Sequence, residues 1–196
     1  VESIQITKGA GSVVNGYESM AGQINVELQK PTKDDRFFLN LYGATNQRFE
    51  LNSHFNTPVS KKWSTGLYVH GNIHQEKHDV NHDGFLDMPL YHQVNVMNRW
   101  QYTDTEKGLV GFFNIRALTD EKQAGQVNFD PEQHKLGNQV WGSEIKTQRY
   151  DFSSKFGYVN PDLPWQNMGA QFSVSHHNQE SYFGLRRYDI TQNSIF

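Results

Sequence analysis

Residues 1–31 read VESIQITKGAGSVVNGYESMAGQINVELQKP, a β-rich run, a glycine-punctuated loop and a second β-rich run that stops at a proline. Glycine supplies the positive φ angles and close backbone approach that a tight β connection uses, and Gly9, Gly11 and Gly16 stand where such a connection is expected. A phosphate cradle is the competing reading. The spacing is neither G-x-G-x-x-G nor a Walker loop, and no Lys-Ser/Thr pair closes it. Two strands joined by a glycine-rich loop is what the residues alone support.

Working outward, the whole chain has 196 residues, a net charge of −3 and 36% hydrophobic residues, which fits a water-soluble domain at first sight. No apolar run approaches the roughly 18 to 20 residues of a spanning helix. A transmembrane barrel needs only about 9 to 11 residues per strand with alternate ones apolar, so polar composition does not exclude a membrane. Aromatic residues reach 13%, which suits interfacial girdles. Zero cysteines excludes a disulfide scaffold and thiolate chemistry within the chain.

Beyond the charged TKDD segment the pattern becomes alternation with period two. Phe37, Leu39 and Leu41 fall opposite Asn40 and Tyr42; Phe49, Leu51 and Phe55 oppose Glu50, Asn52, His54 and Asn56; Leu67, Val69 and Ile73 oppose Tyr68, His70, Asn72 and His74. Four further segments keep that logic. Val94 and Val96 oppose Gln93, Asn95 and Arg99, with Asn98 out of place on the apolar side. Phe113, Ile115 and Ala117 oppose Asn114 and Arg116, although Val110 and Phe112 blur the start. Phe152, Phe156 and their tyrosine neighbours oppose Arg149, Asp151, Ser153 and Lys155, and Ala170, Phe172 and Val174 oppose Gln171, Ser173 and Ser175. An antiparallel sheet with one wet face shows the same pattern, so period alone does not separate a sandwich from a membrane barrel.

Loop lengths do. Connections after the second, fourth and sixth of these strands are short (TPVSKK, DTEKG, NPDLPWQN), whereas those after the third and fifth run through residues 75–90 and 120–146. Long loops on one side and short turns on the other are the habit of outer-membrane barrels. Trp63, Trp100, Tyr102, Tyr158 and Trp165 then gather at the short-turn end, as an interfacial girdle requires. The short top of the first hairpin, Gly43 to Gln47, departs from that habit.

With these elements in place, residues 1–31 are similar to the end of the plug domain of TonB-dependent outer-membrane receptors, in which a strand, a glycine turn and a last strand lead through a Lys-Pro-like junction into the barrel. The matching positions are Ile4, Ile6, Lys8, Gly9, Gly11, Ser12, Gly16, Ala21, Gly22, Ile24, Asn25, Val26, Lys30 and Pro31. DGFLDMPL (residues 83–90), Asn98-Arg99-Trp100 and Tyr182-Phe183-Gly184-Leu185 also resemble the barrel opening of such receptors, less specifically. The resemblance implies an all-β fold: the end of a plug over residues 1–30, a linker at 31–35, and about seven strands of an antiparallel transmembrane β-barrel over 36–196. Because the chain opens inside a recognisable element, it is expected to be a fragment. Complete receptors have about 22 strands. The resemblance further implies location in the bacterial outer membrane, active uptake of a scarce nutrient, a ferric siderophore or other metal chelate first, and coupling to TonB through a box outside this sequence. Outer-membrane lipid is an expected partner and nucleic acid is not. A passive porin or adhesin-type barrel explains residues 36–196 equally well, and an outer-membrane hydrolase is the remaining alternative.

The wet face of such a barrel lines its lumen, which assigns that role to Asn40, Glu50, Asn52, His54, His70, His74, Arg99, Arg116, Asp151 and Lys155. Outside the plug-like start, DVNHDGFLD carries the sharpest chemistry. Asp79, Asn81, Asp83, the Phe85 carbonyl and Asp87 occupy positions one, three, five, seven and nine of a calcium-type loop, with Gly84 at six. Leu90 stands where a twelfth-position bidentate acid belongs, so this is a loop-type structural calcium site or an acidic hydrated turn. Nine histidines, including His74 and His78 with Glu76 between them and the adjacent His176 and His177, invite a transition metal. A water-lined polar face accounts for them without one. No G-x-S-x-G elbow or H-E-x-x-H helix is present, and the chain is not expected to be an enzyme or to need a cofactor.

Overall fold

The computed structural model of the protein describes residues 2–9 and 21–196, so the Gly11 and Gly16 positions of the plug-like loop lie outside the described residues. Strand β1 (Ser3–Lys8) and β2 (Gly22–Glu27) form an antiparallel hairpin in which Ile4 faces Val26 and Ile6 faces Ile24. These four branched residues stand exposed on one side of the hairpin.

All other strands belong to one antiparallel sheet. In order they are β3 (Phe37–Gly43), β4 (Arg48–Pro58), β5 (Trp63–His74), β6 (Leu90–Asp104), β7 (Leu109–Gly125), β8 (Gly142–Val159) and β9 (Asn167–Phe183), each paired with its sequence neighbour. Short β10 (Arg186–Arg187) and then β11 (Ile190–Ile195) both pair back onto β9. The sheet is an uninterrupted meander and is not closed; β3 and β11 are its free edges. A single turn of helix, α1 (Pro131–His134), sits in the loop between β7 and β8, capped by the Asp130 carboxylate on the Glu132 amide.

Register places every expected side chain. Along one row Asn40, Asn52, His70 and Asn95 are direct partners, and along the next row His54, Tyr68, Met97, Arg116 and Asp151 are. Because a strand alternates faces, Glu50, His74, Arg99 and Lys155 share this polar face, while Phe37, Leu39, Leu51, Leu67, Phe113, Phe152 and Phe172 share the opposite one. Among the described residues no second sheet covers the apolar face, and Phe37, Leu39, Leu67, Phe152 and Phe172 are exposed on it. Asn98, the polar intruder there, is satisfied by Thr65 Oγ1, the Gly66 carbonyl and the Trp100 indole N–H.

The strands are longer than their alternation, and two more, β10 and β11, follow the expected seven. β7 continues to Gly125 and β8 starts at Gly142, which shortens the expected 120–146 loop to residues 126–141. Beyond Ala117 and Tyr150 the apolar face itself turns polar, through Thr119, Glu121 and Gln123 on β7 and Gln148, Lys146 and Glu144 on β8. With both sides wet no period survives, and backbone pairing alone carries the ladder. β11 (ITQNSI) was unexpected for the same reason: its two isoleucines fall on opposite faces.

Candidate functional site

The polar face carries the chemistry, and residues 28–35 lie on it. Arg99, on β6, is 8% exposed, with its guanidinium carbon 5.1 Å from the centre of the Phe112 ring. Its Nη1 donates to the carbonyls of Leu28 and Gln29, both at 3.1 Å. Two strands away Asn56, 1% exposed, donates through Nδ2 to the Asp35 carbonyl at 2.8 Å and accepts the Tyr68 hydroxyl on Oδ1 at 3.0 Å. His54 Nε2 stands 3.1 Å from the same Asp35 carbonyl and 3.2 Å from the Asp34 carboxylate. A carbonyl only accepts, so this nitrogen carries the proton. Thr32 Oγ1 reaches Gln101 at 3.3 Å. Gly66 makes room for the cluster: a Cβ there would overlap Asn56 Oδ1 and stand 2.8 Å from Tyr68 Cε2. Phe112, which blurred the sequence pattern, faces inward to cover Arg99.

Above this strap the polar face opens into a hollow of about 520 Å³ lined by Gln29, Asn40, Asn52, His70, Asn95 and Arg116 among others. Several polar groups in it and beside it engage one another. His70 Nδ1 is 2.6 Å from Asn52 Oδ1 and its Nε2 is 3.2 Å from Asn72 Nδ2. Asn52 donates to Glu50 at 3.0 Å, Arg116 Nε donates to Asn95 Oδ1 at 3.1 Å, and Arg149 clasps Asp151 at 2.8 Å with Arg116 a further 3.9 Å from that carboxylate. Glu50 and Asp151 share the face four strands apart, about 19 Å at the usual strand spacing, which is no general acid–base pair.

His74 is fully buried at the top of β5, its Nδ1 3.0 Å from the Pro89 carbonyl, and its Nε2 has no hydrogen-bond partner. Glu76 and His78 approach each other at 3.2 Å, and the His74 and His78 rings are 6.3 Å apart. His176 and His177 point to opposite faces of β9, so adjacency in sequence gives no shared ligand pair. Among the described residues no three His, Asp or Glu side chains stand at metal-holding spacing.

The 79–87 loop spends its oxygens on its own backbone. Asp79 accepts from the amides of Asp83 and Gly84, Asp83 from the amide of Phe85 and from Asn81 Nδ2, and Asp87 from the amide of Val80. Gly84 adopts φ +82°, as its place in the motif anticipates. The donor class fits calcium, yet the acids are turned toward amides and the turn closes on its own bonds. Backbone pairing also weaves this loop into the next one: Leu86 donates to the Gly125 carbonyl, Val127 to that of Gly84, and Lys77 Nζ to that of Val127. Phe129, 2% exposed, anchors the second loop against Tyr182.

At the opposite end of the sheet, Trp63 packs on Trp100, Tyr102 and Phe113, with ring centres 5.0–6.3 Å apart. The short turns at 59–62, 105–108 and 160–166 all lie on this side. Lys62 in the first of them pairs with the Asp104 carboxylate at 2.5 Å, which raises the lysine's pKa above its ordinary value. Sequence reasoning found the shared face and the aromatic rim; it missed the strap contacts and the woven loops, which join residues up to 71 apart. Comparison with protein-family models, with curated proteins and with solved structures found no match.

Proposed function

We propose that this chain is part of a TonB-dependent outer-membrane receptor, with residues 1–30 the end of its plug, 31–35 the linker and 36–196 the first part of its barrel. The observation that carries the reading is the uncharged apolar face. On β7 it runs from Leu109 to Ala117, on β8 from Tyr158 to Tyr150 and on β9 from Met168 to Val174, with no Asp, Glu, Lys or Arg between. On β7 and β8 the eight residue steps at about 3.4 Å make about 27 Å of strand, and the usual barrel tilt reduces this to a height of about 20 to 25 Å, the depth of an outer-membrane apolar band. Aromatic rings edge the band on the short-turn side and charges begin above it on the long-loop side. Lipid is the solvent that such a face fits.

The strap on the polar face favours a receptor over a porin or adhesin, because in the proposed barrel residues 28–35 enter the lumen. Further strands are proposed to close the barrel between the edges at β3 and β11. The cargo is proposed to be a ferric siderophore or a related metal chelate, driven by TonB, with the 79–87 loop a calcium-dependent part of the outer crown. The test uses the full-length gene product. It is expected in the outer-membrane fraction as a heat-modifiable band, and its deletion is expected to abolish TonB-dependent uptake of a chelate on which wild-type cells grow. A soluble product rejects the membrane reading; uptake that persists without TonB leaves a passive barrel.

A further inference from the structure

We infer that the apolar face carries a seat for one amine-headed phospholipid at its long-loop edge, with an acyl chain lying over Gly71 and the ammonium of the head against Glu121. The inference rests on the membrane reading proposed above and names a lipid class within it. A hollow of about 880 Å³ opens over β4 and β5, within the range of about 300 to 1,000 Å³ usual for small-molecule sites. Leu41, Phe49, Leu51, Ile73 and Val94 line it from the apolar face, and all five are exposed. Gly71 stands between Leu51 and Val94 in a ladder that passes through it without a bulge. A Cβ at this glycine would meet the Gln93 carbonyl at an ordinary 3.7 Å, so its surroundings leave room for a side chain that the sequence does not supply. Glycine within a strand costs stability, and one of its uses there is to let another molecule approach the backbone closely.

The head end is set by the row beside Gly71. Across β4 to β9 that row reads Phe49, Ile73, His92, Glu121, Lys146 and Glu180, each the direct partner of the next. It starts apolar and ends charged, so an amphiphile laid across it meets both halves. Gln75 and His92 border the large hollow and also a second one of about 210 Å³, which Glu121, Gln123 and Glu144 help to line. Lys146 pairs with Glu144 at 3.1 Å and is flanked by Glu121 and Glu180. Three carboxylates around one ammonium leave negative charge unbalanced. Glu121 has His92 at 3.8 Å, and both side chains are partly exposed. That balance favours a cationic amine over a head whose charge is phosphate alone. From Ile73 to Glu121 is two strand spacings, about 10 Å, a span that a glycerol-phosphate-amine head covers.

The test takes full-length protein, stripped of native lipid in detergent, and offers it dioleoyl phosphatidylethanolamine, phosphatidylcholine and phosphatidylglycerol at equal concentrations. Native mass spectrometry reads how much of each is retained. Wild type is expected to keep one phosphatidylethanolamine per protein and to prefer it over the other two. Glu121→Gln should reduce that preference about two- to five-fold, the range of one partly exposed ionic contact, while the heat-modifiable fold is kept. Gly71→Leu should lower retention of all three lipids by filling the hollow; if this variant does not fold, the Glu121→Gln arm decides. Equal retention of the three lipids by wild type overturns the seat. A preference for phosphatidylglycerol does so too, as does a phosphatidylethanolamine preference that survives Glu121→Gln, or a folded Gly71→Leu that binds as wild type does. Those results leave the membrane reading standing, whereas a full-length product that is soluble without detergent rejects that reading and the seat with it.

Discussion

At the scale of single residues, the polar groups of this chain are mostly committed to one another. Asp83 holds the Phe85 amide and Asn81 Nδ2, so Asp83→Ala is expected to loosen the 79–87 turn by about 1–2 kcal/mol even without metal. Calorimetric titration of the full-length protein separates the two roles: calcium heat that falls sharply in Asp83→Ala and persists in Asp162→Ala supports an ion, whereas equal heats in both leave an acidic turn. The Glu27–Lys30 pair sets a pH window for the hairpin. Hydrogen bonding to Lys30 lowers the Glu27 pKa below 4.5, and the same bond raises that of Lys30 above 10.5. Glu27's contribution is therefore present above 4.5 and lost as pH falls through its lowered value; Lys30's is present below 10.5 and lost as pH rises through its raised value. Hairpin stability in Glu27→Gln, followed by a probe on β1, should differ from wild type across neutral pH and converge with it in strong acid and strong base. A constant difference throughout would show that the pair contributes nothing.

At the scale of elements, alternation was legible wherever one face meets water and the other does not. Leu51, Ile115, Phe152 and Phe172 announce their side because their sequence neighbours are polar, and the register bears that out. Legibility stopped where chemistry became symmetric: Asp120, Glu121, Lys122 and Gln123 prolong β7 with nothing apolar to mark it. It stopped also where partners are distant in sequence, since nothing local in Asn98-Arg99-Trp100 says that the arginine seeks the carbonyls of residues 28 and 29. The motif at 79–87 was readable as a turn, but its weave with 125–127 was not. If the apolar face meets lipid, its middle should reject charge. Ile115→Arg is expected to cost about 2–4 kcal/mol in denaturant titrations of full-length protein folded into bilayers, against little for Gln171→Arg on the polar face. Equal costs at the two sites would mean that the faces are not differently solvated.

At the scale of the whole molecule, the residues described here make a surface before they make a core: Phe129 and Tyr182 are the large apolar side chains among them that are nearly inaccessible. The 196-residue chain on its own is expected to associate in water and to become monodisperse only with detergent, because none of the described residues covers its apolar face or its two open edges. Analytical ultracentrifugation with and without detergent checks this; a stable monomer in plain buffer would contradict the membrane reading. One further consequence lies in the strap. Leu28, Gln29 and Asp35 are gripped by their carbonyls, a group that every amino acid possesses, so the grip is blind to which residues stand there. Mutational drift at those three positions is tolerated, while the burden of keeping the contact falls on Arg99, Asn56 and the glycine that makes room for them. A library randomised at 28, 29 and 35 should therefore yield many variants that keep the strap docked, and one randomised at 56, 66 and 99 very few.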